Sequence, residues 1–159
     1  MIKLKWKRLA SNLQRPRRAM PTEAGHDLAV IVDGMPETAQ VGYHIDGDLP
    51  WLTVYPGAMI NFGTGWAVEI PPDYFGLVRV RSSVGKARWV LASSGVVDPS
   101  FRGEVRIPLL YLGAEPYRVR HGDRMAQMLI LPRPDVEDEE VAELTPSLRG
   151  AGGFGSTGR

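Results

Sequence analysis

The sequence predicts an all-β domain, a sandwich or barrel of many short strands. Short runs rich in Val, Ile, Leu and aromatic residues recur along the chain, and Gly, Pro and Asp separate them at fairly regular intervals. Thirteen prolines and 18 glycines among 159 residues leave little room for long helices. Many short strands with such turns are typical of a sandwich or barrel, and the length fits one domain.

The expected elements follow one another from the N-terminus to residue 132. Residues 1–9 alternate apolar and basic side chains, which favours an edge strand. One short helix is expected to begin at Ser82 or Ser83, because either hydroxyl is suited to cap it. Six further runs predict strands, at residues 27–32, 51–56, 65–71, 75–82, 103–112 and 124–132.

The composition changes after Pro134. Residues 135–148 form an acidic linker, and five of the last ten residues are glycine. Glycine loses the most conformational entropy when it is fixed, so a flexible C-terminal arm is expected. The sequence therefore predicts a β domain over residues 1–134, a linker over 135–148 and a glycine-rich segment over 149–159.

Charge and composition exclude several classes of function. The net charge of +1 predicts no general attraction to nucleic acid or membranes, and the basic run 3–18 and acidic run 135–143 are interpreted as solvated surface. The absence of cysteine excludes disulfides and thiol chemistry, and three widely spaced histidines make a zinc site improbable. No apolar run approaches the ~20 residues of a membrane helix or resembles a signal peptide, so a cytoplasmic protein is expected.

The segment at residues 93–105, SSGVVDPSFRGEV, is the most informative interior stretch. It predicts a β-hairpin that carries the carboxylate of Asp98 and the ring of Phe101 at its bend. An Asp that precedes a proline commonly makes a turn hydrogen bond. The segment alone therefore leaves open whether Asp98 is structural or functional.

Five separated segments, taken together, resemble the motifs of the trimeric deoxyuridine triphosphatase (dUTPase) family. They are AMPTEAGHDL (19–28), RSSVGKA (81–87), the 93–105 segment, GDRMAQMLI (122–130) and RGAGGFGSTG (149–158). The resemblance spans nearly the whole chain. It implies a jelly-roll-like β-barrel, a homotrimer with shared active sites, and hydrolysis of dUTP to dUMP and pyrophosphate with Mg²⁺ on the triphosphate.

The resemblance also assigns roles to particular residues. Asp98 matches the family's catalytic aspartate, which activates the water that attacks the α-phosphorus, and aspartate is ordinarily ionised at neutral pH. Asp27 matches a residue that supports the site and the water shell of the metal, whereas Arg124 is expected to be held in an ion pair. The implied substrate-binding residues of the β domain are Arg81, Ser82, Ser83, Gly95, Val97, Phe101 and Gln127.

Two aromatic residues are expected to contact the nucleoside. Phe101 stands where the family usually has tyrosine under the deoxyribose, so the packing that excludes a 2'-hydroxyl is kept and the phenol's hydrogen bond is lost. Phe154 is expected to stack on the uracil as the tail closes over the site. The tail residues expected to bind the γ-phosphate or to supply backbone N–H groups are Arg149, Gly155, Ser156 and Thr157.

Two other functions compete with this interpretation. A dCTP deaminase has the same fold and an Arg-Ser-Ser segment, but it needs a glutamate on the strand after the hairpin, where this chain has Pro108. A regulatory binding protein on the same scaffold would recruit a protein partner through residues 33–50. The alternative interpretation of this segment is a tolerated surface insertion. Lys86 adds a cation near the expected phosphate site, and the sequence leaves open whether it binds substrate or faces solvent.

Overall fold

The computed structural model describes residues 1–10, 13–148 and 150–151. That part of the chain forms eleven strands and one five-residue helix. In chain order the elements are β1 (Lys5–Arg8), β2 (His26–Ala29), β3 (Val41–Asp46), β4 (Leu49–Val54), β5 (Met59–Glu69), β6 (Tyr74–Val80), α1 (Ser82–Lys86), β7 (Trp89–Leu91), β8 (Val96–Val97), β9 (Glu104–Tyr111), β10 (Tyr117–Arg120) and β11 (Arg124–Pro132).

The strands form three sheets in which every pairing is antiparallel. One sheet has the order β1-β5-β9-β7, the second β2-β11-β6-β8, and the third β10-β4-β3. The predicted all-β class with one short helix is therefore confirmed. No described helix has the length and apolarity that spanning a membrane requires.

The core follows from side-chain alternation along the strands. In β9 the apolar residues Val105, Ile107 and Leu109 are buried, whereas the residues between them face outward. An aromatic group fills the centre, where the ring of Trp89 lies 4.8 Å from that of Tyr111 and 6.3 Å from that of Phe62. This packing fixes the strand ends that carry the functional motifs.

Some elements differ from the sequence prediction. The expected strand at 27–32 is shorter, and the prediction omitted β3, β7 and β10. Gly42, His44 and Asp46 of β3 alternate with its apolar residues and weaken the hydrophobic signal. Since β3 pairs with β4 in a hairpin, residues 33–50 form part of the fold and are more than a surface loop.

The predicted serine cap of the helix is wrong. Arg81 occupies the N-cap position with extended backbone angles (φ −70°, ψ 152°), and no side chain caps the helix. Ser82 and Ser83 already lie inside the first turn. A cap needs an oxygen on the residue before that turn, so neither serine is placed to supply it.

The predicted β-hairpin at residues 93–105 is also wrong in its pairing. β8 pairs with β6 in one sheet, whereas β9 pairs with β5 and β7 in another. The segment therefore crosses between two sheets, and the turn that carries Asp98 lies at the crossing. The alternation of apolar and polar residues predicts strands, but it does not specify which strands pair with one another.

Candidate active site

The first group of candidate residues surrounds Asp27 on β2. Its carboxylate makes ion pairs with Arg81 and Arg124, at 2.9 Å from Arg81 Nε to Oδ1 and 2.9 Å from Arg124 Nη1 to Oδ2. The Asp27 side chain is only 10% exposed. Three of the sequence motifs therefore meet at one carboxylate, and the ion pair predicted for Arg124 is confirmed.

Arg81 and the two serines that follow it lie at the end of β6. The backbone N–H of Arg81 donates to the carbonyl of Met125 at 3.3 Å, which ties the start of α1 to β11. Ser82 and Ser83 are exposed, and their hydroxyls do not cap the helix. Both hydroxyls are thus accessible to a ligand beside a fixed guanidinium.

Gln127 on β11 lies opposite Asp27 in the strand register. Its side chain passes over Gly25, where an added Cβ would collide with the Gln127 carboxamide. The absence of a side chain at Gly25 therefore creates the space that Gln127 occupies. This places an amide next to the Asp27–Arg81 ion pair.

Burial and charge act together on His26, the neighbour of Asp27. Burial lowers the pKa of the His26 imidazole below its ordinary value of 6.5, and the positive charges of Arg18 and Arg15 lower it further. A hydrogen bond with the Met128 backbone opposes these effects. The neutral imidazole is therefore favoured at neutral pH.

The second group of candidate residues surrounds Asp98. Residues 98–101 form a β-turn in which the Phe101 N–H donates to the Asp98 carbonyl at 3.1 Å, with Pro99 at its favoured second position. The guanidinium of Arg102 clamps this turn, since its Nη1 donates to the carbonyls of Pro99 at 2.5 Å and Phe101 at 2.8 Å. The Asp98 carboxylate is exposed.

A shallow pocket opens beside Asp98. Phe101 is 42% exposed on one side of it, and its ring covers Gly103, where a Cβ would lie 2.7 Å from Phe101 Cζ. Gly95 stands just before β8 with φ +73°, and its carbonyl accepts a hydrogen bond from the Val78 N–H at 2.7 Å. The residues that line the pocket are Val96, Val97, Asp98, Phe101, Glu104, Val105 and Arg106.

The two groups occupy different places on the chain. No residue lining the Asp98 pocket belongs to the surface cleft beside Asp27, which Arg17, Ala29 and Arg124 help to line. Among the described residues, neither Arg81 nor Gln127 lines the Asp98 pocket. The predicted tail residues, Arg149, Phe154, Gly155, Ser156 and Thr157, lie outside the described residues.

Sequence reasoning missed Arg102, Glu104 and Arg106. Arg106 Nη1 lies 2.8 Å from Glu104 Oε2. Glu104 and Arg106 stand at alternate positions of β9, and this alternation is the sequence signal for them. Alternating charged residues are equally typical of an exposed strand face, so the sequence alone assigned these residues no functional role.

Comparison with known proteins gives consistent matches over the chain. A model of the dUTPase family matches residues 31–158. The deoxyuridine 5'-triphosphate nucleotidohydrolase of Anaplasma marginale is 40% identical over 162 residues, which cover 99% of each chain. The protein of the same name from Solibacter usitatus is 38% identical over 156 residues, 96% of this chain and 98% of the relative.

Solved structures have the same architecture. A dUTPase variant of Staphylococcus bacteriophage 80alpha with dUpNHpp has a TM-score of 0.76 and 25% identity, with 99% of each chain covered. A dUTPase variant of phage phi11, described with a structural Mg(II) ion, has a TM-score of 0.69 and 22% identity over 91% of this chain and 99% of that one. This likeness confirms the predicted jelly-roll-like barrel.

Proposed function

This chain belongs to the dUTPase family, and we propose that it hydrolyses dUTP to dUMP and pyrophosphate through an attack of water on the α-phosphorus. The observation that carries this proposal is that the matched motifs form two groups suited to a nucleotide. One is a cationic group for phosphates around Asp27, and the other is a pocket with an accessible carboxylate at Asp98.

Asp98 is the proposed general base. Its exposed carboxylate accepts a proton from the attacking water as the water oxygen bonds to the α-phosphorus. The bond from that phosphorus to the oxygen bridging to the β-phosphorus breaks, and pyrophosphate leaves with the bridging oxygen. General base catalysis by a positioned side chain contributes about 10²–10⁴-fold in rate.

Arg81, Ser82, Ser83 and Gln127 are the proposed phosphate ligands. Arg81 keeps donors beyond the Nε that pairs with Asp27, and the hydroxyls of Ser82 and Ser83 add neutral donors. Because Asp27 holds Arg81 and Arg124 in place, little side-chain entropy is lost when the triphosphate binds.

The donor set around Asp27 fits Mg²⁺ held through water. Both Asp27 oxygens already pair with guanidinium groups at 2.9 Å, so a direct metal bond would compete with two ion pairs. Each oxygen keeps lone-pair capacity to accept a hydrogen bond from a metal-bound water. When bound on the triphosphate, Mg²⁺ would neutralise phosphate charge.

The pocket beside Asp98 is the proposed nucleoside site. Backbone groups near Gly95 and Val97 are proposed to pair with the base edge. The exposed ring of Phe101 is proposed to pack against the deoxyribose and to leave no room for a 2'-hydroxyl. A phenyl ring gives this packing without the hydrogen bond of a phenol.

A homotrimer is proposed, in which each site combines residues of several chains. The absence of any shared lining residue between the Asp98 pocket and the cleft beside Asp27 supports this arrangement. Residues 133–148, if extended, span roughly 50 Å, which is long enough to reach a neighbouring chain. Arg149, Phe154, Gly155, Ser156 and Thr157 are then proposed to close over the nucleotide, with Phe154 on the base and the polar groups on the γ-phosphate.

The test is pyrophosphate release from dUTP with Mg²⁺, compared with dCTP, dTTP and UTP. Asp98→Asn should lower kcat on dUTP by about 10²–10⁴-fold and leave the fold intact, because the turn bonds use backbone groups. Asp46→Asn, an exposed carboxylate at the end of β3, is the matched control and should keep full activity. Absence of dUTP turnover by the folded wild type would refute the proposed function.

A further inference from the structure

Arg106 lies in the nucleoside pocket, yet the mechanism above gives it no role. It lines the same pocket as Asp98 and Phe101. Its position on β9 turns its side chain to the outer face of the sheet, between the buried Val105 and Ile107. A cation at the edge of a nucleoside pocket bears directly on which bases the pocket accepts.

The guanidinium of Arg106 is fixed by two hydrogen bonds. Nη1 donates to Glu104 Oε2 at 2.8 Å, and Nη2 donates to the carbonyl of Asn61 at 2.8 Å. These acceptors belong to two adjacent strands, β9 and β5. An arginine anchored in this way has already lost much of its rotamer freedom before a ligand arrives.

Glu104 is itself held by an irregularity in β5. Its Oε1 accepts the Gly65 N–H at 2.8 Å, and a Cβ at Gly63 would lie only 2.6 Å from the same oxygen. The register between β5 and β9 shifts between Gly63 and Ala67, as at a β-bulge. Two glycines thus position a carboxylate, and the carboxylate positions Arg106.

The chemistry of a guanidinium makes this arrangement selective. Arginine has five N–H donors and no acceptor, and two donors are used by Glu104 and Asn61. At carbon 4 of the base, uracil presents a carbonyl oxygen, whereas cytosine presents an amino group. At carbon 4 itself, the remaining donors of Arg106 can pair with the carbonyl of uracil but only oppose the amino group of cytosine, whose N3 acceptor lies one ring position away.

We propose that Arg106 is a specificity-determining residue, which donates a hydrogen bond to the C4 carbonyl of uracil and disfavours cytosine. This inference rests on the proposed function, since it requires a deoxyuridine nucleotide in the Asp98 pocket. It adds a side chain to the base recognition proposed for backbone groups near Gly95 and Val97.

The test compares kcat/KM for dUTP and dCTP in the full-length wild type and in Arg106→Met, which keeps the aliphatic stem and removes every donor. The dUTP/dCTP ratio should fall about tenfold, the lower end for a hydrogen bond to a charged group, because Arg106 is 49% exposed. Glu104→Gln should give a smaller fall, since it weakens only the anchor. Arg120→Met, on β10 outside the pocket, should leave the ratio unchanged.

Binding measurements separate this inference from the proposed function. Calorimetric affinities for dUMP and dCMP need no turnover, and Arg106→Met should reduce the preference for dUMP about tenfold. Suppose that the wild type hydrolyses dUTP, and that Arg106→Met keeps the dUTP/dCTP ratio of kcat/KM and the dUMP/dCMP ratio of affinities within twofold of the wild type. The role of Arg106 is then refuted and the function stands. If dUTP is not hydrolysed, the function fails, and a dUMP preference that depends on Arg106 would still support this inference.

Discussion

At the scale of single residues, Asp27 decides how much positive charge the proposed phosphate-binding cluster around it presents. Two guanidinium groups share one carboxylate, so the cluster of Asp27, Arg81 and Arg124 has a net charge of +1. The ion pairs hold both arginines in position before substrate binds. Such preorganised donors cost no reorganisation during the reaction, which favours catalysis.

Gly25 should control both the Gln127 side chain and the local packing of β11. An alanine at position 25 would collide with the carboxamide of Gln127, which can rotate away, and its Cβ would lie 2.9 Å from Gln127 Cβ, which is fixed to the strand. Gly25→Ala should therefore lower kcat/KM for dUTP several-fold and also lower the free energy of unfolding, by about 1–3 kcal/mol. Steady-state kinetics and urea denaturation measure the two effects. Unchanged kinetics in the variant would argue against Gln127 as a phosphate ligand.

His26 should make the protein less stable in acid. Burial, Arg18 and Arg15 lower the pKa of folded His26, whereas the unfolded side chain titrates near 6.5. As the pH falls below about 6.5, the unfolded state takes up the proton first, so the free energy of unfolding decreases until the folded pKa is passed. His26→Leu removes this contribution.

Urea denaturation at pH 7.5 and pH 5.5 measures that difference. The wild type should lose more stability than His26→Leu between the two values, and the two proteins differ only at position 26. Equal losses in both proteins would contradict a lowered pKa at His26.

The sequence predicted ion pairs between motifs better than contacts that depend on strand pairing. The ion pair of Arg124 was expected, and it forms with Asp27. The contacts of Arg106 were not expected, because they join it to Glu104 and to the Asn61 carbonyl of a strand 45 residues away. Such a contact exists only after the strands have paired.

At the scale of elements, the connection between β8 and β9 carries Asp98 from one sheet to another. Its entry depends on Gly95, whose positive φ and close approach to Val78 exclude a side chain. Its exit depends on the turn at Pro99 and on the clamp formed by Arg102. The position of the carboxylate is therefore set by backbone geometry at both ends.

Gly95→Ala should be much more destabilising than Gly34→Ala. Both glycines have positive φ, +73° and +69°, so each alanine incurs a backbone penalty of about 1–2 kcal/mol. Only at Gly95 would the new Cβ also collide with a backbone carbonyl and lie 2.7 Å from Leu91 Cδ2, which adds about 1–3 kcal/mol. At Gly34 it would meet nothing within 4 Å.

The free energy of unfolding of the two variants measures this difference, and the shared positive φ makes Gly34→Ala the matched control. Equal destabilisation would show that the approach of Gly95 to Val78 is unimportant.

The sequence predicted that strands flank Asp98, but not that they belong to different sheets. Pairing is decided by the packing of the whole barrel, whereas alternation is local.

At the scale of the whole molecule, the proposed homotrimer with shared sites predicts complementation between chains. Asp98→Asn and Arg81→Ala should each be inactive alone. If a site takes Asp98 from one chain and Arg81 from another, random mixing of the two variants should restore roughly a quarter of wild-type activity. Co-refolding of equal amounts followed by a dUTP assay measures this recovery.

The control is mixing without denaturation, in which intact oligomers exchange no chains and activity should stay absent. A co-refolded mixture that remains inactive would show that each chain builds its own site.

The sequence predicted the trimer only through its resemblance to a family. No pattern of residues marks an oligomer surface as clearly as alternation marks a strand.

The crossing of the Asp98 segment between sheets also affects how the protein tolerates change over evolution. Any substitution that slides one sheet across the other displaces the carboxylate, even when the substituted residue is remote from substrate. Val97 and Val105 lie on the two strands that flank the crossing, and both are buried. Natural selection on turnover would therefore restrict these interior positions more tightly than selection on folding alone.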